Sequence, residues 1–236
     1  MQLKILIVLT SHNNLGDTNK PTGFYLPEVT HPEAVFAAAE FAVDYVSPQG
    51  GKAPMVGIDL EDELNKAFIN NPKQIAKVEN TLTPSQINPK NYSAIFYSGG
   101  HGTMWDFPEN QELANITANI YENGGVVGAV CHGSAGLVNV KLGSGEYLVA
   151  GKKISCFTNE EEAAVGLTAV VPFLLESKLA KLGANIEKAA NFQPKVVVCD
   201  MPLALSSAYR IVTGQNPASA TGVGTEIVKL LQIPGV

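Results

Sequence analysis

The stretch from Val126 to Gly136, Val-Val-Gly-Ala-Val-Cys-His-Gly-Ser-Ala-Gly, constrains this chain more than any other part of it. An apolar run leads directly into Cys131, and the residues two positions to either side, Ala129 and Gly133, are both small. That is the layout of a nucleophile elbow, a tight strand-to-helix turn in which larger neighbours would clash. It predicts a strand over 126–130 and a helix over 133–140. The start of that helix would aim backbone N–H groups and the positive end of its dipole at the sulfur, favouring thiolate over thiol. The alternative is an inert buried cysteine at a strand end.

The rest of the chain alternates in the same way. Residues 3–9 form a continuous apolar run, as expected of a strand buried on both faces. Thr30-His31-Pro32-Glu33 reads as a capping box opening a helix over 34–42. Further strands are expected at 43–48, 93–98, 153–157, 195–199 and 210–213, and further helices at 59–70, 73–80, 110–121, 172–182 and 226–231. Strands alternating with helices imply an α/β fold, a mostly parallel sheet sandwiched by helices. The Pro-punctuated segment 50–91 reads as an excursion over the core of a single domain spanning 1–236. Ligands in such folds sit at the carboxyl ends of the strands. Three polar clusters are expected there: 99–102, 131–133 and 158–162.

Composition removes several classes of function. The chain has 236 residues, with 45% hydrophobic and 16% charged residues, which suits a globular protein. Lys and Arg number 16 against 22 Asp and Glu, for a net charge of −6, and this acidic balance without a basic run argues against nucleic acid as a partner. The apolar run near the start is cut short by the polar residues 10–14, so neither a signal segment nor a membrane span is expected. Three cysteines, Cys131, Cys156 and Cys199, are too few and too odd for a disulfide framework and point to a reducing, cytoplasmic setting. Cys156 and Cys199 fall in apolar strands and read as inert core residues.

The chemistry therefore centres on Cys131. His132 is its adjacent candidate base, and a base needs an orienting acceptor, which the run Glu160-Glu161-Glu162 could supply. The same run also fits an ordinary solvated helix start. Backbone N–H groups of the loop Gly99-Gly100-His101-Gly102, with that of His132, could form an oxyanion hole. Glu28 follows the first strand and its loop and could reach the same crevice. No histidine follows His132, so glutamine hydrolysis, which in this layout uses a late histidine, is disfavoured. No phosphate loop or dinucleotide fingerprint is present. His101, His132 and the carboxylates lack metal-ligand spacing in the sequence, so no metal is expected.

At these residues the chain resembles the ThiJ/PfpI superfamily, built on the flavodoxin-like, class I glutamine amidotransferase-like fold. Its glutathione-independent glyoxalase (glyoxalase III) and stress-chaperone branch is the most similar. The resemblance spans essentially the whole chain. It rests on Thr22-Gly23-Phe24-Tyr25-Leu26-Pro27-Glu28, Ser98-Gly99-Gly100-His101-Gly102 followed by Asp106, Ala129-Val130-Cys131-His132-Gly133, Phe157-Thr158-Asn159-Glu160-Glu161-Glu162 and Thr213-Gly214-Gln215-Asn216-Pro217-Ala218-Ser219. It implies a cofactor-free enzyme in which Cys131 attacks a small-molecule aldehyde, methylglyoxal or a related 2-oxoaldehyde, with release of a 2-hydroxy acid. Glu28 would be a protonated carboxyl beside the sulfur and Glu162 the acid that orients His132, with Glu161 left open for that role. Gly99, Gly100 and His101 would line the oxyanion and substrate site. The resemblance also implies a homodimer. The alternatives are a stress-response holdase chaperone or a cysteine redox sensor in which Cys131 is oxidised, then the protein deglycase activity of relatives, and last the peptidase activity of other branches.

Overall fold

All but one of the expected strands pair into a single sheet, and their side chains divide between its two faces. The computed structural model describes residues 2–200 and 210–232. Within them lie β1 (Lys4–Val8), β2 (Ala42–Val46), β3 (Ala94–Tyr97), β4 (Val126–Val130), β5 (Val196–Asp200) and β6 (Arg210–Gly214). They pair in the order β2-β1-β3-β4-β6-β5, parallel throughout except for β5, an edge strand antiparallel to β6. Leu6, Val8, Ile95, Tyr97 and Val127 face one core. Ile5, Ile7, Phe96, Val126 and Val212 face the other. Successive strand residues point to opposite faces, so a sheet buried on both sides needs apolar residues at every position.

The helices are α1 (Pro27–Ala38), α2 (Glu63–Ile69), α3 (Pro72–Glu79), α4 (Thr103–Asp106), α5 (Gln111–Glu122), α6 (Asn159–Ala164), α7 (Leu175–Lys181) and α8 (Ala220–Leu231). Leu113, Ile116 and Ile120 of α5 cover the first face. Phe36 of α1 and Val223 and Ile227 of α8 cover the second, each burial stabilising the fold by roughly 1.5–3 kcal/mol. Close approach of α1 and α8 depends on Gly224, where a Cβ would lie 3.0 Å from the Pro32 Cα. In the excursion 50–91, Met55–Val56 pairs with Phe24–Tyr25, and Phe68 of α2 and Val78 of α3 bury themselves in the second core. The sheet is mostly parallel and sandwiched by helices, as the alternation implied.

Four local expectations need correction. The first helix begins at Pro27, one turn ahead of the supposed capping box, and Pro32 lies inside it. Thr30 Oγ1 donates to Asn65 Oδ1 in α2, 2.7 Å away, so the hydroxyl makes a tertiary contact in place of a cap. Among the described residues, 153–157 do not form a strand of the main sheet, and Lys153–Ile154 pairs with Asn185–Ile186 instead. Ser155 N–H instead donates to the Thr213 side chain at 2.8 Å. The last helix starts at Ala220, well before residue 226, because Gly222 and Gly224 are used for packing against Val196 and Pro32. Finally, the segment after β4 is a seven-residue 3-10 helix, Cys131–Leu137, that starts at the cysteine itself.

Candidate active site

Cys131 terminates β4 with φ +56°, a left-handed conformation that is uncommon outside glycine and concentrates at functional sites. The turn closes only because its neighbours lack side chains. A Cβ on Gly133 would lie 2.3 Å from the Tyr97 carbonyl oxygen, and one on Gly136 would meet the Tyr97 ring at 2.4 Å. The sulfur is thereby held at the carboxyl end of the sheet, where Glu28 acts on it directly and Glu162 reaches it through His132.

Glu28 comes from the first turn of α1 and is fully buried. Its Oε2 accepts the Gly99 N–H at 2.7 Å, and a Cβ on Gly99 would lie 2.4 Å from that oxygen. Oε1 has no hydrogen-bond partner of ordinary geometry among the described residues, although the carboxyl as a whole interacts with the Cys131 thiol. Burial pushes Glu28 up to about 8, against the opposing pull of the thiol and the Gly99 N–H. Burial likewise pushes the Cys131 thiol up, Glu28 adds to this, and the His132 N–H works in the other direction. The expected thiolate bias from the following helix is therefore overridden. A 3-10 segment of two turns supplies one N–H, and desolvation with a neighbouring carboxyl outweighs it.

On the other side stands Glu162, from α6. Its Oε2 lies 2.7 Å from His132 Nε2 and its Oε1 3.0 Å from His101 Nε2. Burial disfavours its charge, but two imidazole donors and their positive edges prevail and draw it down to about 2. An ionised carboxylate only accepts, so His132 Nε2 carries a proton and Nδ1 presents its lone pair to Cys131 Sγ, 3.5 Å away. Burial, then the His101 ring, brings His132 down to about 4, so it is neutral near pH 7. A neutral imidazole with an oriented lone pair beside a thiol can take its proton.

Glu161, next in the chain, turns the other way. Its Oε1 accepts from Phe192 N–H at 2.7 Å, Asn216 Nδ2 at 2.8 Å and Gln215 Nε2 at 3.0 Å, and its Oε2 from Thr158 N–H at 2.9 Å. Thr103 hydroxyl donates to both the Gly100 and His132 carbonyls at 2.9 Å, tying the two loops together. Asp106 accepts from Thr10 hydroxyl at 2.8 Å and Ser11 N–H at 2.7 Å, and burial raises it to about 6. Asp106, Thr158, Gln215 and Asn216 fall in the motifs that carry the resemblance, but the contacts they make, like those of Thr103 and the His101–Glu162 pair, have no local signal in the sequence. Gly99 uses its N–H on Glu28, whereas the His132 N–H interacts with the Cys131 sulfur.

The lack of metal-ligand spacing in the sequence does not describe the space. His101, His132 and Glu162 bring one ligand atom each within 4.8 Å of one another. Both carboxylate oxygens are already engaged by the two imidazoles, so a cation there would have to displace the ring protons. Cys156 is fully buried and Cys199 partly buried in the first core. A cavity of about 250 Å³ opens over Cys131, bounded by Glu28, Gly100, His101 and His132 and by apolar side chains. Among the described residues no helix is long and apolar enough to cross a membrane.

The chain is similar to known proteins over nearly its whole length. The glutathione-independent glyoxalase HSP31 of Saccharomyces cerevisiae is 34% identical, over 97% of this chain and 98% of that protein. The structure of the Francisella tularensis Rapid Encystment Protein 24 kDa superposes with a TM-score of 0.89 at 38% identity, covering 98% of this chain and 99% of that one. Glyoxalase III of Candida albicans superposes with a TM-score of 0.86 at 29% identity, covering 97% of both chains. Residues 21–166, which hold Glu28, His101, Cys131, His132 and Glu162, match the DJ-1/PfpI family model, and the chain belongs to the DJ-1/PfpI family.

Proposed function

We propose that this protein is a glutathione-independent glyoxalase that converts methylglyoxal and related 2-oxoaldehydes to 2-hydroxy acids through Cys131. The observation that carries the reading is the placement of one thiol between a protonated carboxyl, Glu28, and a neutral imidazole held by an ionised carboxylate, the His132–Glu162 pair. The similarity to the glutathione-independent glyoxalase of yeast supports it.

In the first step Cys131 sulfur bonds to the aldehyde carbon while its proton passes to His132 Nδ1. Glu28 protonates the former aldehyde oxygen, giving a hemithioacetal and leaving Glu28 ionised. Glu28 then removes the proton from that carbon as His132 protonates the adjacent carbonyl oxygen, forming an enediol. Return of the proton from Glu28 to the second carbon, with loss of the remaining enediol proton to His132, yields a thioester. Glu28, left ionised, takes a proton from water as the water attacks the thioester carbon. Protonated His132 returns its proton to the departing sulfur, which releases the 2-hydroxy acid and restores the thiol, the neutral imidazole and the protonated carboxyl. Backbone N–H groups of Gly100 and His132 are the proposed oxyanion donors, and His101 shares Glu162 with His132. The enzyme's own thiol replaces glutathione, and no step requires a metal.

The same proposal has the whole chain, 1–236, acting as one domain, as a homodimer, in the cytoplasm. A second reading, a holdase chaperone, draws on Ile58, Leu60 and Leu64, which expose 54%, 50% and 40% of their surface within one short segment. Methylglyoxal consumption without glutathione and with a chelator, comparing wild type with Cys131→Ala, separates the two. Lactate from the wild type alone supports the glyoxalase. Equal background from both, with client protection retained in the variant, supports the holdase.

A further inference from the structure

Phe192 is a side chain that neither the core nor the proposed chemistry accounts for. It belongs to neither buried core, leaves 48% of its surface exposed, and holds φ at +62°. A bulky residue in the left-handed region is an outlier that persists only where its surroundings impose it. Here the imposing group is Glu161. This fully buried carboxylate accepts the Phe192 N–H at 2.7 Å and is itself fixed by Gln215, Asn216 and Thr158. A buried, fully satisfied carboxylate thus fixes one strained aromatic residue at the rim of the cavity over Cys131.

The ring faces chemistry rather than core. Phe192 lies 6.5 Å from Phe157, and Phe157 lies 4.4 Å from the His132 imidazole, so an aromatic wall leads from the rim to the base. Tyr25, Val56, Val165 and Pro217 continue the apolar lining, and no Lys or Arg joins it among the described residues. The volume, about 250 Å³, exceeds the need of a three-carbon aldehyde. An apolar cavity of about 150 Å³ already holds a benzene.

We infer that Phe192, seated by Glu161, is a specificity-determining residue that packs on the substituent of the aldehyde, so that the enzyme favours neutral 2-oxoaldehydes bearing an aromatic or bulky apolar group over methylglyoxal. The inference rests on the glyoxalase reading. Glu161 is a positioning residue: it touches no substrate and acts by holding the Phe192 backbone.

The test compares kcat/KM for phenylglyoxal and methylglyoxal, without glutathione and with a chelator, in wild type, Phe192→Ala, Phe192→Gly and Glu161→Gln. Taking the ratio of the two substrates relative to wild type cancels their intrinsic reactivities. Loss of the ring is expected to lower that ratio by about tenfold in both Phe192 variants, chiefly through KM for phenylglyoxal. Phe192→Gly is also expected to melt above Phe192→Ala, because glycine accepts the left-handed backbone without strain. Glu161→Gln should lower the ratio through the same KM, by a smaller factor. A ratio within twofold of wild type in both Phe192 variants would overturn the inference while leaving the glyoxalase reading intact. Consumption of neither aldehyde by the wild type would overturn both.

Discussion

Two glutamates serve the Cys131–His132 pair, one beside the thiol and one behind the imidazole, and the protein gives them opposite protonation states. Glu28, from α1, is fully buried with one backbone N–H donor and is pushed up to about 8. Glu162, from α6, is nearly as buried but accepts from two imidazoles and is drawn down to about 2. Burial opposes charge on both, more heavily on Glu28, and the donors then separate them further. The lesson is general: two identical side chains at one site become an acid and an orienting anion through the depth of burial and the partners each one has.

Removing the acid should have the largest effect. Glu28→Gln eliminates the group that moves a proton between carbons, and turnover of methylglyoxal should fall by about 10³-fold. Stopped-flow or end-point lactate assays check this; a loss below tenfold would show that another group carries the proton. The same variant should lower the Cys131 pKa, since a carboxyl that raises it is gone, and alkylation rates followed against pH would show the shift.

Glu162→Gln is expected to cost less, about 10–10² in kcat, because an amide oxygen can still accept from one imidazole but not hold both. Activity equal to wild type would break the comparison on that side.

Stability should separate the two carboxylates by sign. Glu28 has a folded-state value raised above that of the unfolded chain, so the folded state holds more protons between about pH 4.5 and 8 and loses stability as pH rises through that window. Glu28→Gln should therefore stabilise the fold near neutral pH, by as much as about 3 kcal/mol, and change little near pH 4. Glu162 has a lowered folded-state value, so its stabilisation is present above about pH 4.5 and is lost as pH falls toward about 2. Glu162→Gln should destabilise at neutral pH. Denaturant titrations of both variants at pH 4 and pH 7 read these signs directly.

The smallest effect is on the pH profile. For wild type, kcat/KM should rise as His132 loses its proton near pH 4 and fall as Glu28 loses its own near pH 8. The residual activity of Glu28→Gln should lack the alkaline limb.

Much of the scaffold was legible from apolar pattern because the sheet is buried on both faces. The strand Val126–Val130 emerged with its observed bounds, and the elbow's small residues marked Cys131. What pattern could not show were contacts between distant residues. Thr30 resembles a helix cap yet bonds Asn65, and so the first helix starts early, at Pro27. The pairing of His101 with Glu162 spans 61 positions and has no local trace. The pair Glu161 and Glu162 shows the limit most plainly. Adjacent residues on a helix point about 100° apart, so one meets the imidazoles and the other the Phe192 backbone. Only the placement of α6 decides which does which.

The division between Glu28 and Glu162 is most directly tested by a carboxyl ¹³C NMR titration of glutamate-labelled protein from pH 2 to 10, with Glu28→Gln and Glu162→Gln as assignments. A Glu28 resonance that titrates near pH 8 and a Glu162 resonance still ionised at pH 4 is the predicted result. Glu28 titrating between pH 4 and 5, as an ordinary carboxylate, would contradict it and remove the acid from the proposed reaction.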